Sequence, residues 1–357
     1  MKNLTILIMT MLCLATSANA STESCADINL YDLNDNLDSI RIKDQGDMNT
    51  CYAHASSTSF NLEQTNPKDF IHPYWIAFIH KNRRIHWKPQ DLDFSFLTWA
   101  HKDIEKNGVC DISFINDKLS TLKAGVEITD DKLFYLYKEF FDVKNDKYTW
   151  QKNIKNTFNQ LKKNSEDYKW TSSNVSILLN KIKGSTEGLK LFPFLKTHVF
   201  NGCENHINKS VPILNSYGMA MESNEDLLET IQSKLFENKI LSIGHCPDVT
   251  YDPGFSSKKS IGTMPRLFKS FSRQCGAHYA NVAGMRKKTN GCEVLVRNSY
   301  GKGFWVDKSI TCLCENKESG KRSDCSKNTF KIEESKVLGC WIDSERLLDS
   351  TYELNAY

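Results

Sequence analysis

Residues 43–60 read KDQGDMNTCYAHASSTSF. Gln45 stands six positions ahead of Cys51, and Cys51 leads a run rich in small residues, Ala53, Ala55, Ser56 and Ser57. Thr50 reads as the N-cap of a helix whose broad faces carry Tyr52, Ala53, Phe60 and Leu62, and the Pro67 region ends it. The small residues allow that helix to pack closely on another layer. A helix N-terminus favours a thiolate, and so does a nearby imidazole. On its own the stretch does not distinguish a nucleophile from a disulfide cysteine, which is the commoner role.

The rest of the chain sets the context. It has 357 residues, a formal net charge of +3, 40% hydrophobic and 25% charged residues. That is a globular composition with enough chain for a substantial core. The slight basic excess is spread along the sequence and points to a solvated surface, with no nucleic-acid partner. Residues 1–20, MKNLTILIMTMLCLATSANA, carry Lys2, a short apolar run over Leu4–Ala15 and a small-x-small site at Ala18-Asn19-Ala20. They read as a signal peptide, leaving 21–357 as a soluble protein, secreted or periplasmic/lumenal. The apolar run is too short for a membrane span, and no stable membrane insertion is expected.

Removing Cys13 with that leader leaves eleven cysteines, an odd number, in an oxidising compartment. Five disulfides and one free thiol is the simplest accounting, with connectivity open. Cys312, Cys314 and Cys325 form the best metal-like cluster, but their C-x-C spacing is not the usual zinc knuckle and no paired histidines accompany it. No metal or other cofactor is expected.

Residues 21–44 read as an extended lead-in. Helices are predicted over 73–87, with Pro73 in the first turn, and over 94–107, closed by Gly108. The lysine- and asparagine-rich segment 113–205 carries helical stretches near 131–140, 150–165 and 174–183, and its aromatics argue for a packed insertion. Another amphipathic helix covers 225–238, starting near Glu222, Ser223 or Asn224. Short β-prone runs follow at 239–246, 278–286, 292–300 and 303–307. Helices first and strands last favour an α+β protein over a βαβ sheet.

Two residues in those runs give Cys51 partners. His278 begins a strand-like segment, where a rigid backbone can hold a base, and Asn298 ends another. A neutral amide accepting from one imidazole nitrogen fixes the ring and leaves the other nitrogen for the thiol. Gln45 can donate to a developing oxyanion beside the backbone N–H of Cys51.

The residues Gln45-Gly46…Cys51-Tyr52-Ala53, His278-Tyr279-Ala280-Asn281-Val282-Ala283-Gly284 and Asn298-Ser299-Tyr300-Gly301, in that order, resemble the nucleophile, base and orienting motifs of the papain-like cysteine peptidases. The likeness is firm over 40–62 and 273–307 and absent from the middle segment. It implies a two-lobed fold: a helical left lobe over about 45–112, a mostly helical insertion over 113–205, and a β-rich right lobe over 206–357 joined by the N-terminal lead-in. It assigns the free thiol to Cys51. It implies a secreted cysteine endopeptidase that cleaves peptide bonds through a thiolate–imidazolium pair and an acyl-enzyme, with peptide or protein substrates.

The chain departs from that pattern in several places. Met48 stands where many members have a disulfide cysteine, Tyr52 follows the nucleophile in place of tryptophan, and Tyr300 replaces the tryptophan shielding the His–Asn bond. No glycine pair for holding substrate backbone is recognisable, so subsites do not transfer. No long pro-region precedes Cys51, and restraint then falls to a protein inhibitor, the insertion, redox state or location. Two other readings remain: a catalytically silent papain-like module that binds peptides or proteins, and a thiol amidase or transpeptidase acting on cell-wall peptide. A disulfide oxidoreductase is disfavoured, because Cys51 has no C-x-x-C partner.

Overall fold

The computed structural model describes residues 25–40, 50–83, 96–142, 172–183, 191–208, 210–217, 223–251, 265–269, 275–289, 291–299, 310–331 and 333–357. The expected leader at 1–20, Gln45, the helical stretch at 150–165 and the β-prone run at 303–307 lie outside the described residues.

The architecture is mixed helix and sheet, of the α+β class. Its first described element is β1 (Ile28–Asn29), followed by single-turn helices at Leu30–Leu33 and Asn36–Ser39. Among the described residues of the lead-in, the β-strand is confined to β1 and two helical turns follow it. Asn29 caps the first helical turn by accepting from the Tyr31 amide at 3.2 Å, a local bond that competes with extended backbone.

Helices Cys51–Leu62, Pro73–Arg83 and Leu97–Asn107 come next, the last ending at Gly108 with φ +79°. A Cβ on Gly108 would stand 2.8 Å from the Asn208 carbonyl, so both conformation and space demand glycine. Then follow β2 (Val109–Cys110), helices Ile112–Lys123, Asp130–Asp142, Ser172–Lys183 and Leu191–His198, and β3 (Ile207–Asn208). Strands β2 and β3 pair antiparallel, and the Cys110–Cys203 disulfide ties the same stem. Aromatic contacts fasten this segment to the Pro73–Arg83 helix: Phe134 on Tyr74 at 3.9 Å between centroids, and Phe192 and Phe200 on Phe78 at 5.1 and 4.7 Å. Helices 112–123 and 191–198 carry no mark in the sequence-based expectations; in the second, Pro193 breaks a short apolar run and obscures a helix in whose first turn it is tolerated.

The remaining chain supplies β4 (Asn215–Tyr217), helix Asn224–Phe236, β5 (Leu241–His245), short helices Pro247–Tyr251 and Arg266–Lys269, β6 (His278–Lys288), β7 (Gly291–Arg297), β8 (Cys312–Asn316), β9 (Arg322–Cys325), β10 (Ser335–Asp343), helix Ser344–Ser350 and β11 (Thr351–Ala356). These form an antiparallel sheet in the order β4-β11-β5-β6-β7-β10-β8-β9, with β1 added to β6. Gly284 makes that addition possible: a Cβ there would lie 2.7 Å from the Ile28 carbonyl.

The Cys51–Leu62 helix runs between the sheet and the other helices, and every residue but Thr58 is buried. A polar seam fixes it to β5 and β6. Asn281 donates its Nδ2 to the Ala55 carbonyl at 3.1 Å and to Ser59 and Ser242 at 3.0 Å each. On the opposite side Ser57 donates to the Ile71 carbonyl at 2.7 Å, and Asn61 exchanges two hydrogen bonds with the Ile71 backbone. Each such bond contributes about 1 kcal/mol net and would cost more if broken in the interior. The small residues of the opening stretch thus allow close approach and also supply the hydroxyls that register helix against sheet.

Five disulfides join Cys25–Cys292, Cys110–Cys203, Cys246–Cys275, Cys312–Cys340 and Cys314–Cys325, and Cys51 is the free cysteine among the described residues. The accounting of five pairs and one thiol therefore matches, and the three cysteines weighed as a metal cluster are engaged in two disulfides. No described helix is long and apolar enough to cross a membrane.

Candidate functional site

Cys51 is the first residue of its helix and is 4% exposed. Thr50 holds the N-cap position, but its side chain makes no capping bond and its buried Oγ1 has no hydrogen-bond partner among the described residues. The first turn carries no acidic residue either. No side chain at Thr50 or carboxylate in the first turn therefore competes for the first amides of this helix, which are ordinarily left unpaired. The thiol uses them: the backbone N–H groups of Tyr52 and of Cys51 itself favour its ionised form.

A third backbone donor comes from across the molecule. The N–H of Tyr279, the residue after His278, also acts on the Cys51 thiol. This brings the start of β6 to the head of the helix, and Asn281 pins Ala55 of the same helix across 226 residues of sequence. His278 is the first residue of β6, and Asn298 immediately follows β7, its neighbour in the sheet. Their side chains meet, His278 Nε2 donating to Asn298 Oδ1 at 2.7 Å. That bond places the proton on Nε2 and leaves Nδ1 as the basic nitrogen of the neutral ring. Asn298 Oδ1 also accepts from the Ser299 amide, and Asn298 Nδ2 is buried with no hydrogen-bond partner among the described residues. The His278 carbonyl is held by Tyr352, whose hydroxyl donates to it at 3.2 Å.

Of the four sequence-predicted residues, His278 and Asn298 are joined by a hydrogen bond, and the backbone of the next residue, Tyr279, reaches the Cys51 thiol; Gln45, with Met48 and Tyr300, lies outside the described residues. Tyr52 is fully buried and meets the His80 ring edge-on at 5.6 Å. His80 is in turn bonded to buried Asp103 at 2.6 Å, so the residue after the thiol is braced from the helical side.

Burial dominates the electrostatics. It pushes the Cys51 thiol up to about 11, against the three backbone donors, and pushes His278 down to about 4, against the bond to Asn298. Burial thus favours the neutral form of each side chain.

One neighbour was not singled out from sequence. His245, at the end of β5, is the register partner of His278 on β6. The two rings are orthogonal, at 89°, with centroids 5.5 Å apart, and His245 Nε2 bonds the Tyr251 hydroxyl at 2.7 Å. The Cys246–Cys275 disulfide links the segments that carry both histidines. The run KILSIGHC was legible as a strand, but only its antiparallel register with 278–282 aligns the two rings.

A cavity of about 330 Å³ lies beside this group, lined by Asn298, Ser299, Asn281, Arg297, His54 and Asp130 among others. Neither Cys51 nor His278 is among its described lining residues. No group of acidic, cysteine or histidine residues among the described residues is arranged to hold a metal ion. Comparisons of the chain with protein-family models and with curated proteins found no match.

Proposed function

We propose that this protein is a papain-like, two-lobed thiol hydrolase that cleaves peptide bonds, and that it works in an exported, oxidising compartment. The observation that carries the reading is the hydrogen-bonded His278–Asn298 pair, whose next residue, Tyr279, brings its backbone to the thiol of Cys51, the free cysteine among the described residues, at a side-chain-uncapped helix head. The five disulfides support the compartment.

In this mechanism Cys51 Sγ attacks the substrate carbonyl carbon as its proton passes to His278 Nδ1. The new oxyanion is met by the Cys51 N–H, with Gln45 as the second donor. His278 then gives its proton to the leaving amine as the C–N bond breaks. Water, losing a proton to His278, attacks the thioester carbonyl, and Cys51 departs to close the cycle. Asn298 keeps Nε2 protonated throughout, so that Nδ1 remains the exchanging nitrogen. Burial of both side chains favours a proton transfer that accompanies attack.

The 4% exposure of Cys51 favours a second reading, a silent module that binds peptides without cutting them. Reaction with an epoxide thiol trap, mapped by mass, separates the two. Hydrolase function requires adduct at Cys51 that falls by about 100-fold or more in His278→Ala. Absence of adduct in the folded protein would favour the binding module.

A further inference from the structure

We propose that His245 is a positioning residue for His278, acting through the ring contact between β5 and β6. The inference rests on the reading of His278 as the general base. Antiparallel register puts the two residues opposite each other at the end of β5 and the start of β6. Such cross-strand pairs are the closest side-chain neighbours a sheet provides. Both residues are buried, His245 fully, and their rings meet at 89° with centroids 5.5 Å apart.

His245 is itself held. Tyr251, on the short helix that follows β5, bonds its Nε2 at 2.7 Å, and the Cys246–Cys275 disulfide joins the next residue to the approach to β6. The other side of His278 is fixed by Asn298 at Nε2. A hydrogen bond at Nε2 alone leaves an imidazole able to turn about it, and the orthogonal ring packed on His278 restricts that turning. Asn298 and His245 together therefore limit the directions open to Nδ1. Burial keeps His245 neutral, because it holds its pKa well below the usual imidazole value, the charge of His278 adding to the effect and the Ile243 backbone opposing it. His245 therefore supplies orientation without a competing positive charge.

The test measures the rate of Cys51 alkylation by iodoacetamide in the full chain, together with the ring ¹⁵N shifts of His278 and the melting temperature. His245→Gln can remake the Tyr251 bond but has no ring; His245→Phe keeps a ring of similar volume and loses that bond. The expected result is about a tenfold slower alkylation in His245→Gln with an averaged His278 tautomer signal, and a rate within about threefold of the parent in His245→Phe, at melting temperatures close to the parent. If His245→Gln does not fold, His245→Ala and His245→Leu, which also lack the ring, decide by the same two signals. Parent-like rates and shifts in the folded ringless variants overturn the proposal, and so does rate loss that tracks melting temperature alone. A His278→Ala control with unchanged alkylation would instead overturn the hydrolase reading itself, so the two failures are distinguishable.

Discussion

Two helices of this protein begin in opposite ways. Asn224–Phe236 opens with a complete capping box: Ser223 accepts from the Asp226 amide at 3.1 Å, and the Asp226 carboxylate accepts from the Ser223 amide at 2.9 Å. Glu225 adds a second carboxylate in its first turn. Cys51–Leu62 opens with a threonine that caps nothing, no acidic residue, and a thiol in front of its first amides. The first arrangement spends the helix's free donors on its own stability. The second leaves them for whatever charge develops at Cys51. A helix start that breaks the capping rule while sitting deep in the core is where sequence and structure both point to chemistry.

The sharpest way to break that comparison is at the far side of the thiol. Asn298→Ala removes the acceptor that fixes His278, so peptide hydrolysis is expected to fall about 100-fold with the melting temperature little changed. Equal loss of stability and rate would make Asn298 a structural residue only.

Acid should separate the two helix starts. His278 has a folded pKa depressed to about 4 from 6.5, so the unfolded state takes up the proton first. Its contribution is complete above about pH 6.5 and is lost as pH falls toward 4, by about 3 kcal/mol in all. Asp226 is also depressed, by its bonds to Ser223, but from a carboxylate value of 3.8, so its contribution persists until lower pH. Amide exchange followed from pH 7 to 3 should show opening around β6 before fraying of the Asn224–Phe236 helix. Fraying of that helix first would contradict the ordering.

Smaller effects sharpen the contrast. Ser223→Ala should cost about 1 kcal/mol in chemical denaturation and leave Cys51 alkylation unchanged. Thr50→Val should be neutral to within about 0.5 kcal/mol, because the Thr50 hydroxyl has no partner to lose. A loss of 1 kcal/mol or more there would mean that the Cys51 helix is capped after all.

Much of this was legible in the residues. The helix at Cys51, the strands bearing His278 and Asn298, and the odd thiol followed from small-residue patterning, β-prone runs and cysteine parity. Gly108 as a helix stop and Pro73 as a helix start were readable because each residue type suits one backbone conformation. What escaped depends on pairing between distant segments. β8, β9 and β11 offer only short runs with many polar residues, and they become strands through partners such as Cys312↔Cys340 and Leu354↔Ile243. His245 escaped for the same reason, since a register cannot be read from one strand. The lead-in departs from the extended expectation because its local Asn29 cap outweighs a ragged alternation of apolar positions.

The central claim is that Cys51 becomes a nucleophile through His278. Single-turnover reaction with a p-nitrophenyl ester, quenched over time and mapped by mass, tests it most directly. The expected result is an acyl adduct on Cys51 that forms and then disappears in the parent protein, and forms about 100-fold more slowly in His278→Ala. A folded parent protein with no acyl group on Cys51, or one acylated at the same rate without His278, would contradict the account.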